Sequence, residues 1–362
     1  MSFWRDKKVF LTGHTGFKGA WLAKMLLHQG ARVFGYSLYP ATEPSLYASS
    51  PILRSIPQVI GDIRSSLELH QACRSFEPDI VLHLAAQALV RDSYANPTET
   101  FETNVMGTLH LFEAVRKTKS VKSLVNVTSD KCYENREWLW GYRENEPMGG
   151  KDPYSASKGC SELLTQSYRA SFFSEANSAR LSSARAGNVF GGGDWAKDRL
   201  IPDLIRAWGH GQPAQIRHPA ALRPWQHVLE PVFGYSMLAK ANFEKAGFDS
   251  GWNFGPNEMD AQNVGSVVEA MAKLWGETAQ VQIEPAASNL KEAHLLRLDS
   301  SKAKSELGWV PVLGLSQGLK WTVQWYKNYN SKPSSADQMV DEQIETYLQR
   351  QKESGNGSLQ VL

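Results

Sequence analysis

The chain has 362 residues, 42% of them hydrophobic and 21% charged. That is the balance of a globular protein with room for about two domains. A formal net charge of only +2 excludes the strong positive field that gathers nucleic acid or an anionic membrane. No apolar run approaches the roughly 20 residues that cross a bilayer. The three widely spaced cysteines, Cys73, Cys132 and Cys160, argue against a disulfide framework and a zinc site. They read as free thiols in a reducing cytoplasm, and the first eight residues lack an apolar signal core.

In chain order, residues 9–12 read as a buried strand and 17–29 as a helix that Gly30 stops. Residues 31–37 and 58–60 read as strands, as do the apolar runs 79–83 and 122–128. One helix is expected over 97–116. Another is expected over 153–173, opened by Pro153, a residue suited to the first helical turn. Residues 178–185 read as a further strand. This alternation predicts an α/β fold, a Rossmann-type doubly wound parallel sheet with helices on both faces. Ligands in such sheets bind beyond the carboxyl ends of the strands.

After Gly187 the glycines and prolines break the pattern, which predicts a smaller C-terminal substrate-binding domain. The expected organisation is a dinucleotide-binding domain over 1–187, with later segments returning to it. A mainly substrate-binding domain follows over 188–330. A helical tail, 331–362, comes after a short polar linker.

Gly13, Gly16 and Gly19 stand where the first strand meets the first helix. Glycine suits a tight turn and a close backbone approach to a pyrophosphate, and a helix N-terminus offers free N–H groups to it. An ordinary strand-to-helix turn is the competing reading. The spacing G-x-x-G-x-x-G resembles the extended branch of the short-chain dehydrogenase/reductase superfamily.

That resemblance implies an NAD cofactor held by Gly13, Thr15, Gly16, Phe17 and Gly19. Asp62 and Ile63 would follow with the adenine, although Asp62 also suits a helix cap. Leu84, Ala85 and Ala86 would line the cofactor, or simply pack. Ser37 stands where an acidic residue often meets the ribose. No arginine stands there either, so the residues leave NADP open.

Tyr154 and Lys158 lie four apart on one helical face. A lysine charge stabilises a phenolate, so the tyrosine can take a proton from a sugar hydroxyl. Ser129, just beyond a buried strand, can reach the same oxygen. Its neighbours Asp130 and Lys131 put an acid and a base side by side, the pair that eliminating water requires. A surface turn carrying an exposed charge pair is the alternative.

Over about residues 4–330 the chain is similar to the sugar-nucleotide 4,6-dehydratases. The run 129–135, the segment 138–150, the segment 187–195 and Arg223-Pro224-Trp225-Gln226-His227-Val228 resemble the CDP-glucose branch. This implies catalysis by Ser129, Asp130, Lys131, Tyr154 and Lys158, the last two also touching the cofactor. It implies no metal and a nucleotide-sugar substrate, CDP-glucose above others. Asn188, Arg217 and Arg223 would hold the diphosphate, followed by Arg199 and His294, which read equally well as surface residues. It also implies a homo-oligomer, at least a dimer, through the helices near 97–116 and 153–173. A nucleotide-sugar 4-epimerase and a non-catalytic NAD-binding protein are the rival readings.

Overall fold

The computed structural model describes residues 2–283 and 295–355. Seven strands form the central sheet: Lys8–Thr12 (β1), Arg32–Ser37 (β2), Gln58–Ile60 (β3), Ile80–His83 (β4), Ser123–Val127 (β5), Arg180–Ala186 (β6) and Gly251–Phe254 (β7). Their order is β7-β6-β5-β4-β1-β2-β3, and every pair is parallel. This is the expected Rossmann-type sheet. The order reverses between β1 and β4, which opens a crevice at their carboxyl ends.

The helices that matter for the site are Phe17–His28 (α1), Ser66–Phe76 (α2), Gly107–Arg116 (α3), Pro153–Phe172 (α4), Leu229–Glu244 (α5), Leu315–Ser331 (α6) and Ala336–Glu353 (α7). β1 and β4 are largely apolar on both faces because both are covered, whereas β6 buries Ser182, Ser183 and Arg185 as well. Val9, Leu11, Ile80 and Leu82 point into one core with Trp21, Leu22, Val232, Tyr235 and Ile344. Phe10 and Val81, one residue out of phase, point into the other with Leu69, Leu111, Phe112 and Leu181. The period of two thus sorts neighbouring residues into separate layers.

Two features depart from the sequence reading. The helix expected over 97–116 is interrupted: Pro97–Phe101 is α-helical, Glu102–Met106 is a π turn, and α3 follows. Apolar spacing registers helical periodicity but not one widened turn. The chain also adds β7, a four-residue strand with two apolar side chains, Trp252 and Phe254, too short and mixed to stand out. Beyond Gly187, three two-stranded pieces and the helices Leu200–Gly209 and Val264–Trp275 build the irregular part.

Helix α7 packs back onto the sheet layer. Val340 and Ile344 are fully buried. The Lys24 ammonium on α1 donates to Asp337 and Asp341. The Tyr347 hydroxyl donates to Glu230 Oε2 on α5 at 2.8 Å. Glu230 Oε1 also accepts from the backbone N–H groups of Val312 and Leu313. Burial pushes the Glu230 carboxyl up to about 8, against 4.5 ordinarily, even with these donors opposing it.

Glu230 therefore makes stability depend on pH. Below 4.5 its carboxyl is neutral whether the chain is folded or not. Between 4.5 and about 8 the folded protein keeps a proton that the unfolded chain releases, so stability falls as pH rises through that window. Glu230→Gln, neutral throughout, is expected to flatten the dependence and to raise the melting temperature at pH 8 by several degrees, an effect on the order of 1 kcal/mol or more. Calorimetric melting of both proteins from pH 5 to pH 9 checks this.

Candidate functional site

The glycine loop joins β1 to α1. Gly13 has φ +76°, and a Cβ there would stand 2.6 Å from the Ala85 nitrogen; one on Gly19 would stand 2.0 Å from the Gly13 carbonyl. Only glycine lets the loop fold so tightly against β4. Helix α1 begins at Gly16 with no side-chain cap. Its first-turn N–H groups and dipole are thus left to an anion, which fits a dinucleotide pyrophosphate. At the end of β2 the Ser37 hydroxyl meets Thr15 Oγ1 at 2.8 Å, and Thr15 donates to the Leu38 carbonyl.

Not every expected cofactor residue presents a free group. Asp62 binds the Arg64 guanidinium at 2.6 Å, which holds its carboxyl below the usual range. Ile63 is buried against Gly107. The N–H groups of Leu84 and Ala85 donate to Thr12 Oγ1, so these residues offer the cleft their side chains and carbonyls. Ala86 is half-buried beside them.

A brace that sequence reasoning missed lies next along the chain. Asn104, inside the π turn, accepts from the Gln87 N–H and donates to the Gln87 carbonyl and Ser157 Oγ. One buried amide thus ties the loop after β4 to the helix that carries Tyr154. An asparagine inside a helical pattern was the available signal, since asparagine is a poor choice for a helix interior.

The catalytic candidates come from the ends of β5 and α4. Ser129 caps a short 3-10 turn, Asp130–Cys132, and its Oγ donates to Asp130 Oδ1 at 2.9 Å. Asp130 is 1% exposed, and Lys131 lies 3.6 Å from its carboxylate at 34% exposure. The pair is therefore not a solvated surface turn. A Cβ on Gly187 would stand 2.9 Å from Asp130 Oδ2 and 3.0 Å from Pro224, so the carboxylate faces the Arg223-Pro224 strand.

Tyr154 stands in the first turn of α4, anchored by its N–H to Ser93 Oγ. Burial pushes its phenol up to about 12; its hydrogen bond with Ser129 pulls it down, Asp130 pushes it up again, and the Arg199 charge pulls it down. Burial lowers the Lys158 ammonium to about 8, with Cys132 and Glu162 opposing. Lys18, in the first turn of α1, joins the group: burial and then Arg199, with Lys158 and Lys131 behind, lower it to about 7, while Asp130 opposes. Lys18 thus feels three other cations, Arg199, Lys158 and Lys131, and one carboxylate, Asp130. Sequence reasoning missed Lys18, although a lysine inside a glycine loop was visible.

The structure divides the expected diphosphate ligands. Arg199 is inside the site, its Nη1 2.8 Å from Asp194. Arg217 lies farther out, pairing at 3.4 Å with Asp198, which Arg91 also reaches at 3.2 Å. Asn188 gives its carbonyl to the Gln226 N–H, and Arg223 Nη1 donates to the Leu222 carbonyl. His294 lies outside the described residues. Among the described residues no cluster of three or more metal-ligating side chains occurs.

A glycine loop on an uncapped helix, a Tyr154–Lys158 pair and a polar loop after β5 define a dinucleotide-binding enzyme of the short-chain dehydrogenase/reductase kind. The chain belongs to the GDP-mannose 4,6 dehydratase family, whose profile matches residues 10–322. It is 52% identical over 331 residues, 90% of this chain and 92% of the relative, to CDP-glucose 4,6-dehydratase of Salmonella typhimurium. It is 27% identical to dTDP-glucose 4,6-dehydratase of Streptomyces griseus over 89% of this chain and 95% of that one. Among solved structures, dTDP-glucose 4,6-dehydratase of Bacillus anthracis in complex with NAD superposes with a TM-score of 0.76 at 21% identity, covering 91% and 99% of the two chains. UDP-glucose 4-epimerase of Thermus thermophilus, also with NAD, gives 0.76 at 25% identity over 88% and 99%.

The Lys158 ammonium predicts a pH-dependent grip on the dinucleotide. Its charged form dominates below about 8 and is lost above it. The dissociation constant for NAD is therefore expected to rise above pH 8, by at most about tenfold per pH unit for one proton. Lys158→Met should bind weakly with a flat profile. Fluorescence titration with NAD from pH 6.5 to 9.5 measures both.

Proposed function

We propose that this chain is an NAD-dependent CDP-glucose 4,6-dehydratase, turning CDP-glucose into CDP-4-keto-6-deoxyglucose. The observation that carries the reading is the Asp130–Lys131 pair, its carboxylate fully buried beside Ser129 and within electrostatic reach of Tyr154. A 4-epimerase needs only a hydroxyl, a tyrosine and a lysine. An acid and a base set against the same hexose are the equipment for removing water. The choice of the CDP sugar rests on the likeness to the Salmonella enzyme.

NAD, when bound, supplies the acceptor for hydride from sugar C4 and the donor of hydride to C6. The residues do the proton work. Tyr154, beside Ser129, takes the proton of the 4-hydroxyl. Arg199 stabilises the phenolate that this requires. The 4-keto group acidifies C5, and Lys131 removes that proton. Asp130 protonates the 6-hydroxyl, which leaves as water. Lys131 returns its proton to C5, and the proton held by Tyr154 restores Asp130. Arg199, Arg223, Arg217 and Asn188 would supply the basic and amide groups that a diphosphate requires.

A cytoplasmic site of action belongs to the same reading, supported by three unpaired cysteines, of which Cys160 is exposed. Among the described residues no helix is long and apolar enough to cross a membrane. A homodimer is also part of it. Phe101, Met106, Leu163 and Phe172 are large apolar side chains left exposed on the helices around 97–116 and on α4. A second copy of that helix pair would cover them.

Three outcomes are expected. Incubation with CDP-glucose should give a product lighter by one water, and Lys131→Ala should lose about 10²–10⁴-fold in rate together with deuterium exchange at C5. A product of unchanged mass would favour the epimerase. Full C5 exchange in Lys131→Ala would remove Lys131 from its role. Leu163→Asp should halve the mass seen by light scattering of the purified protein.

A further inference from the structure

Beneath the site lies an ion pair that the reaction does not consume. Glu162 and Arg185 are 0% and 1% exposed, with Arg185 Nη2 2.7 Å from Glu162 Oε2. Glu162 is one turn past Lys158 on the same helix, so it sits directly under the ammonium. Arg185 comes from β6 and reaches across β7, where a Cβ on Gly251 would stand 2.6 Å from Nη2. Two buried charges are costly to desolvate, and they persist only when further hydrogen bonds satisfy them.

Those further bonds have a pattern. Glu162 Oε1 accepts from Thr128 Oγ1, the residue just before Ser129. Arg185 Nη1 donates to Tyr133 Oη at 2.6 Å, and the guanidinium lies 5.0 Å from the Tyr133 ring centre. Tyr133 in turn donates to Asn253 Oδ1 on β7 at 2.8 Å. Ser183 Oγ also donates to Glu162 Oε2, and Arg185 Nη1 also donates to the Glu144 carbonyl, which leaves only Arg185 Nε without a partner. The segment 128–133 is thus pinned at one end by the carboxylate and at the other by the guanidinium. Ser129, Asp130 and Lys131 lie between the two pins.

We infer that the Glu162–Arg185 pair, acting through Thr128 and Tyr133, is the positioning element that holds the water-eliminating pair Asp130–Lys131 in register with the hydride-transfer pair Tyr154–Lys158. The inference rests on the dehydratase reading and adds to it two positioning residues and their two pins. It has a chemical consequence. Tyr154 and Lys158 are fixed by α4 itself, so C4 oxidation depends on the pins only through Ser129. Proton removal at C5 and departure of the 6-hydroxyl depend on them through Asp130 and Lys131 as well. Loosening either pin should uncouple the second half of the reaction from the first. Glu162 has one more effect, because its charge helps to keep Lys158 protonated.

The test is the ratio of two products in a single turnover with enzyme and NAD in excess, resolved by mass: the 4-keto hexose nucleotide that still carries its 6-hydroxyl, formed with one equivalent of NADH, and the dehydrated 4-keto-6-deoxy product, formed with the cofactor returned to NAD. Tyr133→Phe removes the far pin and keeps the ring over Arg185. Thr128→Val removes the near pin, and each variant serves if the other does not fold. In both, the undehydrated fraction should rise at least about tenfold over wild type, since misplacement by about an ångström can cost about 10²-fold. The melting temperature should fall by a few degrees, as for one lost buried hydrogen bond, with the fold intact. Thr128→Ser, which keeps the hydroxyl, should restore the wild-type ratio. A folded variant that slows with an unchanged ratio, or that keeps full rate, overturns the inference. A wild-type enzyme that releases no dehydrated product from any sugar nucleotide overturns the dehydratase reading instead.

Discussion

The arrangement of the site depends on one interaction, the buried contact between Glu162 and Arg185. It joins α4, which carries Tyr154 and Lys158, to β6, and through Thr128 and Tyr133 it fixes the loop after β5. Breaking a buried pair by removing one partner costs about 3–5 kcal/mol. That is a large share of the roughly 5–15 kcal/mol by which a folded domain is stable. Such a bond is therefore hard to change without consequence, and geometry is what it secures.

Charge is concentrated in the cleft rather than spread over the surface. The formal net charge is only +2, yet Lys18 stands within electrostatic reach of Arg199, Lys158 and Lys131. Burial disfavours a charged ammonium, and neighbouring cations add to this. Burial and its cationic neighbours lower Lys18 to about 7, and burial alone lowers Lys158 to about 8. A substrate with a diphosphate meets a cleft already short of negative charge. The uncapped start of α1 adds to the same demand.

Much of this was legible in the sequence, for a physical reason. A strand covered on both faces is mostly apolar, so β1, β4 and β5 stand out as runs, and the loops after them hold the site. Gly13 and Gly19 were legible because no other residue fits their backbone. The parts that escaped were set by tertiary contacts. Glu162 and Arg185 are charges on a helix and a strand, a pattern that usually marks a solvated face, and their partnership appears only once β6 lies beside α4. Asn104 needed the π turn to face Gln87, and apolar spacing is blind to that turn. The pairing of Arg217 with Asp198 likewise appears only in the folded chain.

The central claim is that one hexose is oxidised, dehydrated and reduced without leaving this cleft. The most direct measurement uses CDP-glucose deuterated at C4. The account predicts that the product carries that deuterium at C6, transferred within the same molecule, with a hydrogen from solvent at C5. Deuterium retained at C4, or lost from the sugar altogether, would contradict it.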